Sequence, residues 1–287
     1  MPPILSGVFA ALLTPFDGAG ALDAGVVRTL ARYLLNEGLD GIAAAGTTGE
    51  FPSLARDEKD AVTRGSCEAA GDEGRVIAGV FAADPAERAW LAAQAPEHGA
   101  AAVFLTTPIG APPPAETLLA WYRTVRHATG LPVFAYNIPQ LTGYDLPLDT
   151  LEALTAEGAI LGYKDSTADP ARLTGVVKRF KGRLTIFAGS EDLFPMARDL
   201  GVDGFISGMA NVFPRTVAAV WRGDHDADRR IIALKDVLRR HGTVPAMKYL
   251  LAKRGFAIGD PRLPLHPVPA AARADLDRLE SEFGKTL

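Results

Sequence analysis

One lysine of this 287-residue chain ends a run of five residues without charge. It is Lys164, in the stretch "AILGYKDST" from Ala159 to Thr167. Most lysines keep their ammonium groups in water, whereas the interior of a protein disfavours the charged form. A neutral amine attacks ketones and forms a Schiff base. Once protonated, the Schiff base accepts the electrons that are released when a carbon–carbon bond breaks. The position of Lys164 therefore predicts carbonyl chemistry.

This reaction also needs a group that moves protons and a place for a carboxylate. Tyr136, in "YNIPQLTG" (136–143), can move a proton if hydroxyl groups bond to its phenol. Thr47 and Thr48, in "GTTGE" (46–50), supply two hydroxyls, and their turn exposes backbone N–H groups. A 2-keto acid is a substrate that would use all of these groups.

Each of these motifs also has a purely structural interpretation. "GTTGE" alone could be a turn with a helix cap, and "YNIP" could be a strand that ends at a proline. Glu191 and Asp192, in "GSEDLF", could do no more than interact favourably with the positive N-terminus of a helix. Asp165 could be a structural hydrogen-bond partner. The functional hypothesis therefore depends on whether the fold brings these residues together.

The elements that must position them alternate regularly along the chain. Eight short apolar segments are separated by amphipathic segments. The first amphipathic segment, 23–38, is expected to be a helix with Val26, Leu30, Tyr33 and Leu34 on one face. The predicted strands are 7–16, 41–46, 75–81, 101–108, 132–139, 159–166, 184–190 and 203–211. Strict alternation of strand and helix predicts a (β/α)8 TIM barrel rather than an open doubly wound sheet.

In such a barrel the functional groups lie at the C-terminal ends of the strands. The motifs described above stand at the ends of predicted strands two, five, six and seven. The two-residue period of a strand places residues 160, 162 and 164 on one face, and Phe134 and Tyr136 on one face of the preceding strand. If both faces point inward, Lys164 and Tyr136 enter the same cavity.

The alternation stops after Gly223. We therefore predict a barrel domain over residues 1–223 and a C-terminal helical extension over 224–287, with three helices and no strand. Lys248, in "PAMKYLLAKRG", lies in a helical pattern from which a long side chain is expected to reach water.

Composition excludes several classes of partner. A formal charge of −4 and the absence of a polybasic run argue against nucleic acid and against an acidic membrane surface. The single cysteine excludes an internal disulfide framework and fits a cytoplasmic location. The five histidines are scattered without metal-ligand spacing, so the sequence does not predict a metal site. A small-molecule partner is expected.

Five motifs together carry a family resemblance. "GTTGE", "YNIPQLTG", "GYKDST", "GSEDLF" and "GFISGMAN", in this order and at these spacings, resemble the class I pyruvate-dependent aldolases of the dihydrodipicolinate synthase and N-acetylneuraminate lyase superfamily. The resemblance covers the whole chain. It implies a barrel fold, a homo-oligomer (a tetramer or a dimer), and no cofactor.

The resemblance also implies a role for each matching residue. Lys164 would form the Schiff base, Tyr136 would donate and accept the proton, and Thr47, linked to that tyrosine, would hold the pyruvate carboxylate with Thr48. The backbone of Ile206 would line the pyruvate site. The positions that would bind the hydroxylated tail of a sugar acid are Gly189, Glu191, Asp192 and Ser207.

Three positions depart from the synthases of the family. Those enzymes carry an arginine two residues after the proline of the "YNxP" motif, where it binds the carboxylate of the aldehyde, and this position is Leu141 here. They also carry a tyrosine pair after the fourth strand, one member of which completes a proton relay in the neighbouring subunit. Here the pair is Ile109 and Gly110. The form with leucine at 141 resembles the neuraminate lyases instead.

The sequence therefore predicts a lyase that reversibly cleaves a hydroxylated 2-keto acid, such as a 2-keto-3-deoxy sugar acid or an N-acetylneuraminate-like compound, to pyruvate and an aldehyde. A dehydratase that acts on a 2-keto-3-deoxy sugar acid through the same imine is the first alternative. Dihydrodipicolinate synthase activity is another. A non-catalytic 2-keto acid binding protein is the alternative from a different class.

Overall fold

The computed structural model describes residues 5–71 and 75–283, and its centre is a closed barrel of eight parallel strands. The strands follow one another in chain order, and β1 closes the barrel by pairing with β8. They are β1 (Gly7–Ala11), β2 (Gly41–Ala44), β3 (Val76–Gly79), β4 (Ala102–Thr106), β5 (Val133–Asn137), β6 (Gly162–Asp165), β7 (Thr185–Ala188) and β8 (Gly204–Ser207). Each lies within its predicted segment, so the predicted TIM barrel is confirmed.

Helices surround the barrel and continue beyond it. They are α1 (Ala24–Asn36), α2 (Arg56–Ala70), α3 (Pro85–Glu97), α4 (Ala115–Thr129), α5 (Pro139–Thr142), α6 (Leu148–Ala156), α7 (Pro170–Phe180), α8 (Phe194–Leu200), α9 (Pro214–Trp221), α10 (His225–Arg240), α11 (Thr243–Lys253) and α12 (Ala270–Phe283). The predicted face of α1 is only half right. Leu30 and Leu34 are buried with Val27 and Ala31, whereas Val26 and Tyr33 lie at the edge of the buried face.

Phenylalanine rings fill the barrel interior opposite strand glycines. Phe9 and Phe134 both pack on Phe187, with ring centroids 5.3 and 6.0 Å apart. A Cβ atom on Gly162, the strand neighbour of Phe134, would lie 2.2 Å from the Phe134 ring. The missing side chain therefore provides the space for the ring. This packed layer supports the polar residues at the C-terminal ends of the strands.

Helices α10, α11 and α12 form the C-terminal extension, as predicted. The division of the chain into two domains at Gly223 stays a prediction. The expectation for Lys248 is wrong, because its side chain is only 2% exposed and its ammonium lies 2.8 Å from a Glu50 oxygen. The Lys248 side chain points toward the barrel, where Glu50 provides an opposite charge. Over residues 5–71 and 75–283, none of the helices combines the length and the apolar composition of a membrane span.

Candidate active site

Lys164 and Tyr136 meet inside the barrel. They are register partners on the neighbouring strands β6 and β5, so their side chains leave the sheet on the same face. The Lys164 Nζ atom lies 4.0 Å from the centroid of the Tyr136 ring and 5.8 Å from that of Phe104. Both residues are buried. Within the described part of the chain, no carboxylate lies within salt-bridge distance of Lys164, so its amine is not held in an ion pair.

The residues on either side of Lys164 fix the strand from its outer face. The Tyr163 hydroxyl donates a 2.9 Å hydrogen bond to Asp165 Oδ2. Asp165 Oδ1 accepts hydrogen bonds from the backbone N–H and the hydroxyl of Thr167. Burial raises the pKa of Asp165, although these hydrogen bonds oppose the shift. Asp165 therefore acts as a structural hydrogen-bond partner, as its structural interpretation predicted. Its contacts hold the end of β6 and keep Lys164 directed inward.

Ser166, two residues after Lys164, lies beside the lysine and was not among the predicted site residues. Its Oγ atom is buried, and among the described residues it has no hydrogen-bond partner. A Cβ atom on Gly189 would lie 2.2 Å from this oxygen and 2.6 Å from Cε of Lys164. Gly189 therefore leaves the space that both side chains occupy. The alternation that places 160, 162 and 164 on one face continues to 166, and this signal could have identified the serine.

Thr47 and Thr48 lie in the turn that follows β2. The Thr47 hydroxyl is buried and has no hydrogen-bond partner in the described residues, which leaves it available to a ligand. Thr48 faces the end of β8, since its Oγ1 would lie 3.2 Å from a Cβ atom on Gly208. The expected link between Thr47 and Tyr136 is not present as a hydrogen bond, because the Thr47 hydroxyl is unpartnered.

A second polar group lies at the ends of β7 and β8. Ser207, which is fully buried, donates a 2.9 Å hydrogen bond to Glu191 Oε1. The neighbouring Ile206 is also buried. Asp192 lies 2.8 Å and Glu191 3.5 Å from the ammonium of Lys235 on α10. Glu191 and Asp192 thus have side-chain partners, which a purely helix-capping role does not require. No motif pointed to Lys235, because it belongs to the extension and not to a strand end.

The positions that depart from the synthases lie on the other side of the mouth. Leu141 is half-buried on the short helix α5, and Ile109 is 60% exposed in the loop after β4. Gly110 has a φ of 119°, and its N–H donates to the Thr142 carbonyl at 2.9 Å. Residues with a side chain rarely adopt this backbone conformation. The local fold of the loop is therefore one that suits glycine rather than tyrosine.

A parallel (β/α)8 barrel with an inward lysine, a tyrosine beside it and hydroxyls at the strand ends defines a class of protein, the class I Schiff-base aldolases. Comparison with known proteins gives the family. The family model for the dihydrodipicolinate synthetase family matches residues 4–282. The chain belongs to this family, whose members are Schiff-base, pyruvate-dependent enzymes that bind pyruvate and aldehyde substrates.

The individual relatives are named for different activities. The chain is 36% identical to a 4-hydroxy-tetrahydrodipicolinate synthase from Mycolicibacterium paratuberculosis, over 93% of this chain and 91% of the relative. It is 33% identical to an uncharacterized DapA-like lyase from Halobacterium salinarum, over 98% and 94%. The crystal structure of CdNal from Clostridium difficile in complex with mannosamine matches with a TM-score of 0.92 and 25% identity, over 97% of this chain and 99% of that one.

Proposed function

We propose that this protein is a lyase that reversibly cleaves a hydroxylated 2-keto acid to pyruvate and an aldehyde. The single observation that carries the proposal is the contact between Lys164 and Tyr136, a buried amine 4.0 Å from a buried phenol ring. A protein that only binds a 2-keto acid has no need of both groups. A lyase needs the amine as a nucleophile and the phenol to move a proton.

The proposed reaction begins at the amine. Lys164 Nζ attacks the keto carbon of the substrate, and loss of water gives a protonated imine. Tyr136 accepts the proton of the C4 hydroxyl, the C3–C4 bond breaks, and its electrons pass to the imine to give an enamine. The aldehyde leaves. Protonation of the enamine at C3, followed by addition of water to the imine, releases pyruvate and regenerates the lysine.

The carboxylate of the keto acid is placed at the turn after β2. The unpartnered hydroxyl of Thr47, the hydroxyl of Thr48 and the N–H groups of the turn are suitable donors for an anion. The backbone of Ile206 lines the same end of the site in this proposal. Fixing the carboxylate orients the keto carbon toward Lys164.

The hydroxylated tail of the substrate is placed near β6, β7 and β8. Glu191 and Asp192 can accept hydrogen bonds from hydroxyls, Ser166 can donate or accept, and Ser207, which donates to Glu191, can accept, while Gly189 gives Ser166 and Lys164 the space that they occupy. CdNal was crystallised in complex with mannosamine, a hydroxylated sugar, and this supports a hydroxylated substrate. A sugar-acid substrate, of the 2-keto-3-deoxy or N-acetylneuraminate-like kind, fits this polar end.

Synthase activity is less well supported, although a relative carries that name. Leu141 cannot bind a second carboxylate as an arginine would. The loop after β4 has Ile109 and Gly110 in place of the tyrosine pair, and Gly110 adopts a φ of 119°, which residues with a side chain rarely adopt. Dehydration of a 2-keto-3-deoxy acid remains an alternative, because elimination and carbon–carbon cleavage use the same protonated imine.

Assembly as a tetramer or dimer, and a cytoplasmic location, stay predictions.

The direct test is to trap the imine. The protein is incubated with pyruvate and borohydride, and mass spectrometry of its peptides locates the reduced adduct. We expect the adduct on the peptide that contains Lys164 and its absence from Lys164→Ala. Failure to form it, or an equal adduct in the variant, contradicts the proposal. A panel of 2-keto-3-deoxy acids then distinguishes the reactions, because cleavage releases pyruvate and dehydration does not.

A further inference from the structure

A buried ion pair connects the C-terminal extension to the turn that holds Thr47 and Thr48. Lys248 on α11 and Glu50 at the end of the turn lie 2.8 Å apart, and their side chains are 2% and 3% exposed. Burial lowers the pKa of Lys248, while the Glu50 carboxylate opposes the shift. Removal of two charges from water is costly, so a buried ion pair is a poor source of stability compared with apolar packing. The pair therefore points to a role in geometry rather than in stability.

Glu50 is fixed through both its side chain and its backbone. One carboxylate oxygen faces Lys248, and the other accepts a 2.8 Å hydrogen bond from the Arg262 N–H. The Glu50 N–H donates to the Thr47 carbonyl at 3.1 Å, which closes the turn. Its φ of 58° lies in the left-handed region, where a residue other than glycine is held at some energetic cost. Glu50 therefore connects α11 to the backbone of Thr47.

Lys248 is held just as closely. Its ammonium lies 4.2 Å from the centroid of the Phe16 ring and 3.3 Å from the Asp260 carbonyl oxygen, which it hydrogen-bonds. Phe16 lies shortly after β1, and Asp260 lies between α11 and α12. The barrel and the extension thus both contact the same ammonium. The lysine has little freedom to follow Glu50 if the turn moves.

We infer that Lys248 and Glu50 are positioning residues, a pair through which the C-terminal extension sets the geometry of the Thr47–Thr48 turn for binding of the pyruvate carboxylate. This inference rests on the proposed function, which places that carboxylate at the turn. Neither residue touches the substrate. The extension is therefore a working part of the active site, although all of the strand-end residues come from the barrel.

The test compares the affinity for pyruvate with the chemistry at Lys164. Borohydride trapping over a range of pyruvate concentrations gives an apparent Kd and a maximal extent of modification. Lys248→Met, which removes the charge at similar size, is expected to raise the apparent Kd roughly tenfold to a hundredfold. Glu50→Gln, which keeps the shape of the side chain, is expected to raise it in the same direction. Saturating pyruvate should still label Lys164 in both variants.

The matched control is another lysine in a largely buried ion pair, one that joins α2 to α3 rather than the extension to the turn. Lys59 lies 2.8 Å from Glu87, with its side chain 8% exposed. Lys59→Met is expected to lower the melting temperature without changing the apparent Kd for pyruvate.

Folded Lys248→Met and Glu50→Gln proteins that bind pyruvate as the wild type does overturn the inference. A change in Kd that only follows the loss of stability, equal in Lys59→Met, also overturns it. If Lys248→Met does not fold, Glu50→Gln decides. Failure of the wild-type protein to form any adduct is a different result, since it rejects the proposed function and the inference with it.

Discussion

The ammonium of Lys235, on the first helix of the extension, lies 2.8 Å from the carboxylate of Asp192 at the end of β7. It also lies 3.5 Å from Glu191 and 3.4 Å from the Ser190 hydroxyl, and its side chain is 16% exposed. One cation therefore offsets two adjacent carboxylates where the substrate tail is proposed to bind. Without it, the two acids would repel each other.

Lys235→Met is expected to weaken binding of the substrate tail. The KM for a hydroxylated 2-keto acid should rise about tenfold, because the two carboxylates would no longer be held in place. Trapping of pyruvate at Lys164 should not change, since pyruvate has no tail. The control is Lys253→Met, whose ion pair with Asp277 is exposed and belongs to α11 and α12. A loss of pyruvate trapping in Lys235→Met as large as the rise in its KM would contradict the assignment.

Ser166→Ala tests the unpartnered hydroxyl beside Lys164. We expect about a tenfold loss of kcat/KM for a hydroxylated 2-keto acid, because a hydrogen bond to the substrate is lost, with unchanged trapping of pyruvate. Steady-state kinetics and borohydride labelling on the same preparation measure the two effects. Thr124→Ala, on the exposed face of α4, is the control. Equal kcat/KM in Ser166→Ala and the wild type would remove the serine from the tail site.

Gly162→Ala tests the packing of the barrel interior. The new methyl group would lie 2.2 Å from the Phe134 ring, and we expect a loss of roughly 2 kcal/mol or more in the free energy of unfolding. Gly175→Ala is the matched control, because a Cβ atom in that helix meets no neighbour within 4 Å. It should stabilise the protein by about 0.5–1 kcal/mol. Denaturant unfolding of the two variants gives the comparison, and equal effects would contradict the packing account.

Cys67 is expected to resist alkylation in the folded protein. Burial on α2 raises the pKa of its thiol to about 12. At pH 8 only about one thiol in ten thousand would be ionised, and the thiolate is the reactive form. Iodoacetamide followed by intact-mass measurement should show no label until denaturant is added. The count is unambiguous because the chain has one cysteine. Rapid labelling of the native protein would contradict the burial.

The fold was accessible from the sequence because its signals are local. Each of the eight strands lies within a predicted segment, since short apolar runs and glycine-ended helices mark element boundaries. The inward face of β6 followed from the two-residue period, and the register of β5 with β6 then brought Tyr136 beside Lys164. The same period, carried one step further, would have identified Ser166.

Other expectations failed where the outcome depended on distant residues. The buried face of α1 was misassigned by about one residue, because Val26 and Val27 both fit a helical period with Leu30 and Leu34, and packing buries Val27. The hydrogen bond between Thr47 and Tyr136 was expected from the resemblance, but the Thr47 hydroxyl has no hydrogen-bond partner among the described residues. Lys248 was expected to reach water from its helix. Its partner Glu50 lies far away in the chain, so no local pattern indicated the ion pair.

The sequence by itself determined the order of the elements, the barrel, and the face from which Lys164 and Tyr136 project, because backbone periodicity and turn chemistry are encoded in neighbouring residues. Only the tertiary structure decided what surrounds them. It placed Lys248 against Glu50, Lys235 against Asp192, and Ser166 with Lys164 against Gly189. Electrostatic and steric contacts of this kind depend on distances across the fold, which local sequence patterns do not specify.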